Sequence, residues 1–133
     1  MPQFASIVPV LRVSDLPRSI AWYRDILGFS AATAHGARDS CVMRRDATEL
    51  MLRRAVSPAL RARDSYQWDV YIRLAGEELT ALLDDARRRT PLVRGPELMP
   101  SGEVEFELED PDGYRVCIAE ALSDTRGFPR AVG

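Results

Sequence analysis

Residues 8–29, V-P-V-L-R-V-S-D-L-P-R-S-I-A-W-Y-R-D-I-L-G-F, carry a strand, a cap and a helix in direct succession. The strand spans residues 7–13 and is rich in β-branched side chains. Pro9 removes one amide donor, so this strand is expected at a sheet edge, or paired on only one side there. Ser14 and Asp15 offer the helix cap, and Pro17 suits the first turn. Leu16, Ile20, Tyr23 and Leu27 follow at helical spacing. Gly28 is expected to close the helix in the left-handed conformation.

Beyond the helix, residues 30–35, 39–45 and 48–54 read as short strands, with turns at His35-Gly36 and Arg45-Asp46. Residues 55–65 have no clean period and read as a linker. The pattern then starts again. Residues 67–74 read as a strand, and 76–89 as a helix with Leu79, Leu82, Leu83 and Ala86 on one face. Glu77 and Glu78 are expected in its first turn and Arg87–Arg89 in its last, which complements the helix dipole. Residues 92–94 read as a short strand before Gly95-Pro96. Strands over 103–109 and 114–120 are joined by the turn Asp110-Pro111-Asp112-Gly113.

Strand, helix and three strands therefore occur twice. V-P-V-L-R-V (8–13) is echoed by D-V-Y-I-R-L (69–74), and E-L-M-L (49–52) by C-I-A-E (117–120), in the same order. The expected organisation is one α+β domain built from two βαβββ modules, 1–54 and 66–122, with a linker at 55–65 and a tail at 123–133. Each helix would cover one face of its sheet. The two remaining open faces would form a cleft, and function is expected there.

Composition narrows the function further. The chain has 133 residues, 46% hydrophobic, and its 18 basic and 20 acidic residues leave a net charge of −2. That argues against nucleic-acid binding driven by bulk charge. No apolar run approaches the ~18–20 residues of a membrane span. Met1–Ile7 lacks the regions of a signal peptide, so no membrane partner and a cytoplasmic setting are expected. Every basic residue is arginine, which excludes Schiff-base chemistry and a lysine base. The one histidine, His35, has no G-x-S-x-G nucleophile elbow to serve, and multi-histidine zinc sites are excluded. Cys41 and Cys117 form no C-x-x-C pair and are expected reduced and buried.

Two segments resemble the vicinal oxygen chelate superfamily, which includes glyoxalase I, bleomycin-resistance proteins and extradiol dioxygenases. Residues 8–29 resemble its opening strand and helix, and E-D-P-D-G-Y-R-V-C-I-A-E (109–120) resembles its closing hairpin. The resemblance implies paired glyoxalase-like modules whose mixed, curved sheets form an open cleft. The family's metal enzymes take ligands from the first and last strands of each module, places that fall here on Val8, Glu49, Asp69 and Cys117. Val8 cannot coordinate, and two hard carboxylates with a soft thiol suit Mg, Mn, Fe or Ni poorly. No metal cofactor is therefore expected. The alternative is a divalent metal held by Glu49, Asp69 and Cys117 in a divergent glyoxalase-like lyase, isomerase or dioxygenase. The P-V-L of the first strand and the missing histidine resemble the bleomycin-resistance branch. That branch implies a metal-independent homodimer that sequesters a small molecule.

Strand alternation assigns the lining. With Val8 toward the cleft, the facing residues are Val10 and Arg12; Glu49, Met51 and Arg53; Asp69, Tyr71 and Arg73; Glu103, Glu105 and Glu107; and Arg115, Cys117 and Ala119. Of these, Arg12, Glu49, Met51, Asp69, Tyr71, Arg73, Glu105, Glu107, Arg115 and Cys117 are the expected ligand contacts. An Arg fork at Arg12 suits a carboxylate, and the acidic side chains favour a cationic ligand.

Overall fold

The computed structural model describes residues 2–32, 39–55 and 67–131. The expected His35-Gly36 turn and nearly all of the expected linker lie outside them. The chain divides into two compact units, residues 1–59 and 60–133.

In the first unit the elements are β1 (Val10–Val13), α1 (Leu16–Leu27), β2 (Ser30–Ala31), β3 (Ser40–Arg45) and β4 (Thr48–Arg54). In the second they are β5 (Val70–Arg73), α2 (Leu79–Arg89), β6 (Arg94–Leu98), β7 (Val104–Glu109) and β8 (Arg115–Glu120). The sheets run β1-β4-β3-β2 and β5-β8-β7-β6, the same order twice. In each sheet the outer pair, β1 with β4 and β5 with β8, is parallel and the remaining pairs are antiparallel. The α+β expectation of a repeated βαβββ topology is met.

Local chemistry explains the first unit. The Asp15 carboxylate accepts the Arg18 N–H at 3.0 Å, so the helix starts where the cap residue stands. Gly28, at φ 70°, ends it and donates to the Arg24 carbonyl at 3.1 Å. Ser19, Tyr23, Ile26 and Leu27 are the buried face of α1. Leu11, Val13, Cys41, Met43, Leu50 and Leu52 are buried on the strands. The first strand is shorter than residues 7–13, and Pro9 is exposed rather than packed. Its carbonyl still accepts the Met51 N–H at 2.8 Å, and β1 is an edge strand, as its missing donor requires.

The second unit departs from the sequence reading at several places, the first being β5, which covers Val70–Arg73 rather than 67–74. Helix α2 begins at Leu79 rather than 76, because Gly76 and Glu77 adopt positive φ (87° and 62°). Glu78 caps nothing with its side chain. Strand β6 does not stop at residue 94 but runs through Gly95-Pro96 to Leu98, with a register irregularity between Arg94 and Glu97. Residues 129–131 are not a loose tail. The Leu98 N–H donates to Pro129 and the Ala131 N–H to Leu98, which adds a bridge to the outer edge of β6.

Candidate functional site

Residues opposite one another in a sheet share a face. In the second unit, β6, β7, β8 and β5 bring Arg94, Glu107, Cys117 and Tyr71 into one row. Glu97, Glu105, Ala119 and Arg73 form the next. Val104, Phe106, Leu108, Val116 and Ile118, all buried, alternate with them on the opposite face. Glu105 and Glu107 are nonetheless buried as well, at 3% and 0% exposure. The expected solvent-open acidic face is a packed polar layer.

Arg94 is its centre. Its Nη1 donates to Glu97 Oε1 at 2.6 Å and its Nη2 to Glu105 Oε1 at 2.9 Å. Nη2 also lies 3.7 Å from Cys117 Sγ, and Nε lies 3.8 Å from Glu107 Oε2. Burial alone would lower the guanidinium pKa, but the hydrogen bonds to Glu97 and Glu105 outweigh it, so Arg94 stays charged. Arg115 approaches from the other side, 3.8 Å from Glu107 Oε2 and 3.3 Å from Glu109 Oε2.

Tyr71 completes the layer. Its hydroxyl donates to Glu105 Oε2 at 2.6 Å, so one carboxylate joins the phenol to Arg94. Burial, then the Glu105 carboxylate, push the phenol well above its ordinary pKa, and it remains a donor. Trp68 packs on Tyr71 at 5.0 Å between ring centroids, and the Arg73 guanidinium lies 5.4 Å from the Tyr71 ring. Trp68 keeps 39% of its surface exposed. The result is an aromatic ledge on edge strand β5 beside buried carboxylates. Burial, then Glu105, push the Cys117 thiol up, and Arg94 opposes this without winning. A thiol so placed supplies little thiolate for nucleophilic chemistry.

Asp69 and Cys117, the two second-unit positions that the family resemblance implies, are not directly paired across the ladder. Tyr71 pairs with Cys117, whereas the Asp69 N–H bonds the Arg115 carbonyl. In the first unit Val10, the echo of Tyr71, pairs with Met51. Cys117 therefore corresponds to Met51 rather than Glu49, a slip to the next residue on the same face. Asp69 is exposed and its Oδ2 accepts the Arg115 N–H at 2.9 Å. Glu49 is held by the cross-strand Arg44 at 2.8 Å, with Arg12 and Met51 on the same sheet face. Tyr71, Arg73, Glu105, Glu107, Arg115 and Cys117 are thus brought onto one face, with Asp69 committed to the backbone at its end. Sequence reasoning missed Arg94 and Glu97, because Gly95-Pro96 hid the strand that carries them.

The metal implied by some relatives does not fit these residues. Asp69 and Glu49 are engaged as described, and Cys117 lies against a guanidinium. Among the described residues no three His, Cys, Asp or Glu side chains gather as a metal group.

A family model described as the glyoxalase/bleomycin resistance protein/dioxygenase superfamily matches residues 3–118. No curated protein matches. Similar solved structures include a protein of unknown function from Agrobacterium tumefaciens, 20% identical with a TM-score of 0.70, covering 92% of this chain and 98% of that one. TioX from a Micromonospora species is 15% identical with a TM-score of 0.68, covering 90% of this chain and 100% of that one. A glyoxalase/bleomycin resistance protein/dioxygenase from Nocardioides is 19% identical with a TM-score of 0.66, covering 100% of this chain and 93% of that one. At these identities the structures share the fold alone. The family match spans most of the chain and agrees with the doubled βαβββ topology: the chain belongs to the glyoxalase/bleomycin resistance protein/dioxygenase superfamily.

Proposed function

We propose that this protein is a metal-independent small-molecule-binding protein of the bleomycin-resistance type, which sequesters a polar, aromatic, cationic ligand. The observation that carries this reading is the half-exposed Trp68–Tyr71 ledge beside Glu105, with Glu103 at the other end of Arg73 (3.2 Å). Aromatic faces attract planar cations. The buried, free cysteines suit a reducing cytoplasm. Among the described residues no helix is long and apolar enough to cross a membrane.

The test is a thermal-shift screen with bleomycin and a panel of cationic aromatic amines. A ligand at ten times its Kd adds about 1.4 kcal/mol by mass action and raises Tm by roughly 5 °C. Tyr71→Ala is expected to abolish that shift while the variant still melts cooperatively. A panel that stabilises nothing, or stabilises Tyr71→Ala equally, refutes the proposal.

A homodimer is part of the same reading. Phe4 and Ile7 are 98% and 90% exposed, Val10 is 51% exposed, and they lead into edge strand β1. Apolar residues this exposed beside an unpaired edge suit a second copy. Sedimentation equilibrium is expected to give a dimer for the full chain and a monomer for Phe4→Ser/Ile7→Ser. A wild-type monomer at micromolar concentration contradicts it.

A further inference from the structure

We infer that Arg73 is a built-in competitor at the Trp68–Tyr71 ledge: its guanidinium holds the Tyr71 ring until a planar aromatic cation displaces it, and it thereby sets which ligands the ledge accepts. The inference rests on the binding reading above and deepens it. The Arg73 guanidinium lies 5.4 Å from the centre of the Tyr71 ring, within the reach of a cation–π contact. The ring that would receive a cationic ligand is already served by a cation of the chain itself. The strand puts it there. Tyr71 and Arg73 alternate with Ile72 on β5 and share a face. Arg73 pairs in register with Ala119 on β8, and Ala119 with Glu105 on β7. The small alanine lets the arginine lean across the row. There it donates to the Glu103 carboxylate, from Nε to Oε2 at 3.2 Å and from Nη2 to Oε1 at 3.4 Å.

The groups around the ring are held with unequal firmness. The Tyr71 hydroxyl is fixed on Glu105 at 2.6 Å, and Glu105 in turn on Arg94 at 2.9 Å. The ring cannot turn to follow a ligand without giving up that bond. The Glu103 side chain is 16% exposed, whereas that of Arg73 is 72% exposed. A guanidinium in water, on a long stem and in an exposed ion pair, moves at the least cost. When it swings away, the ring face is bared. Glu103, whose carboxylate has no other side-chain partner among the described residues, then keeps an uncompensated charge. An incoming planar cation replaces both losses, covering the ring and facing the carboxylate. A neutral ring of the same size replaces only the first. Arg73 therefore makes entry costly for every aromatic ligand, and costlier for neutral ones.

Equilibrium dialysis at neutral pH tests this with N-methylquinolinium, a planar cation, and quinoline, its neutral counterpart. The chains compared are wild type, Arg73→Ala and Arg73→Ala/Glu103→Gln. Arg73→Ala is expected to bind the cation about tenfold more tightly than wild type and quinoline about threefold, because both escape the competition and only the cation gains the freed carboxylate. Arg73→Ala/Glu103→Gln should keep the gain shared by both probes and lose the cation's surplus. Adding Tyr71→Ala to Arg73→Ala should remove every gain, which assigns it to the ring. Cation binding to Arg73→Ala no tighter than to wild type overturns the inference, as does a gain that survives Tyr71→Ala. Wild-type binding that Tyr71→Ala abolishes, with no gain in Arg73→Ala, sinks the competitor and leaves the binding proposal standing. Binding of neither probe to any of these chains overturns both.

Discussion

Glu120→Ala should destabilise the second unit by about 3 kcal/mol. Glu120 is the last residue of β8, 3% exposed, and its side chain points to the start of α2. Its Oε2 accepts the Glu77 N–H at 2.7 Å, and its Oε1 accepts those of Glu78 and Leu79 at 2.8 Å each. Two backbone donors at the helix N-terminus, which the helix cannot satisfy internally, and the N–H of the residue before its cap are thus met by one carboxylate from another element. The charge also lies at the positive end of the helix dipole. Alanine would strand the Leu79 donor in a buried position, while water reaches the exposed Glu77 and Glu78. Glu120→Gln keeps one acceptor oxygen and loses the charge, so about half the cost is expected. Thermal unfolding should place Glu120→Ala roughly 10 °C below wild type and Glu120→Gln between them. A Glu120→Ala variant that melts with wild type would show that the helix is held by its apolar face alone.

That contact shows what a linear reading can and cannot see. The first helix is legible to within one residue, because Asp15 (offered with Ser14), Pro17 and Gly28 act within their own turn of chain. The second was misplaced at its start. Its anionic cap is Glu120, more than forty positions away, and the nearby Glu77 and Glu78 were the natural local candidates. Alternation correctly sorted Glu105, Glu107, Cys117 and Tyr71 onto one face, since facing depends only on parity within a strand. Parity says nothing about register. The echo matches Glu49 to Cys117, whereas the pairing of the equivalent Val10 and Tyr71 selects Met51. Nor does it reveal burial: Arg94, which lies against Glu105 and Glu107, stands on a strand that the Gly95-Pro96 turn signal hides. The chemistry of the site was visible in kind, a charged and aromatic face, and its organising residue was not.

Gly95→Ala carries the second large effect, about 4 kcal/mol or outright loss of the folded second unit, and it acts on that organising residue directly. Gly95 has φ 85° in the middle of β6. A Cβ there would land on the Glu105 carbonyl oxygen and within 2.9 Å of the Phe106 Cα, both backbone atoms of the adjoining strand. No side-chain rotation relieves such a clash, so β6 must leave β7. Arg94 and Glu97 flank the Gly95-Pro96 pair and would move with it, withdrawing the guanidinium from Glu105 and Glu107. Gly102→Ala separates conformational strain from close approach. Gly102 has φ 91°, and nothing lies within 4 Å of a Cβ built there. Its substitution should cost only about 1 kcal/mol, the strain of a left-handed alanine. Urea unfolding of the two variants side by side measures the difference. Equal losses would mean that β6 does not lie against β7 through Gly95, and the seat of Arg94 would lose its support.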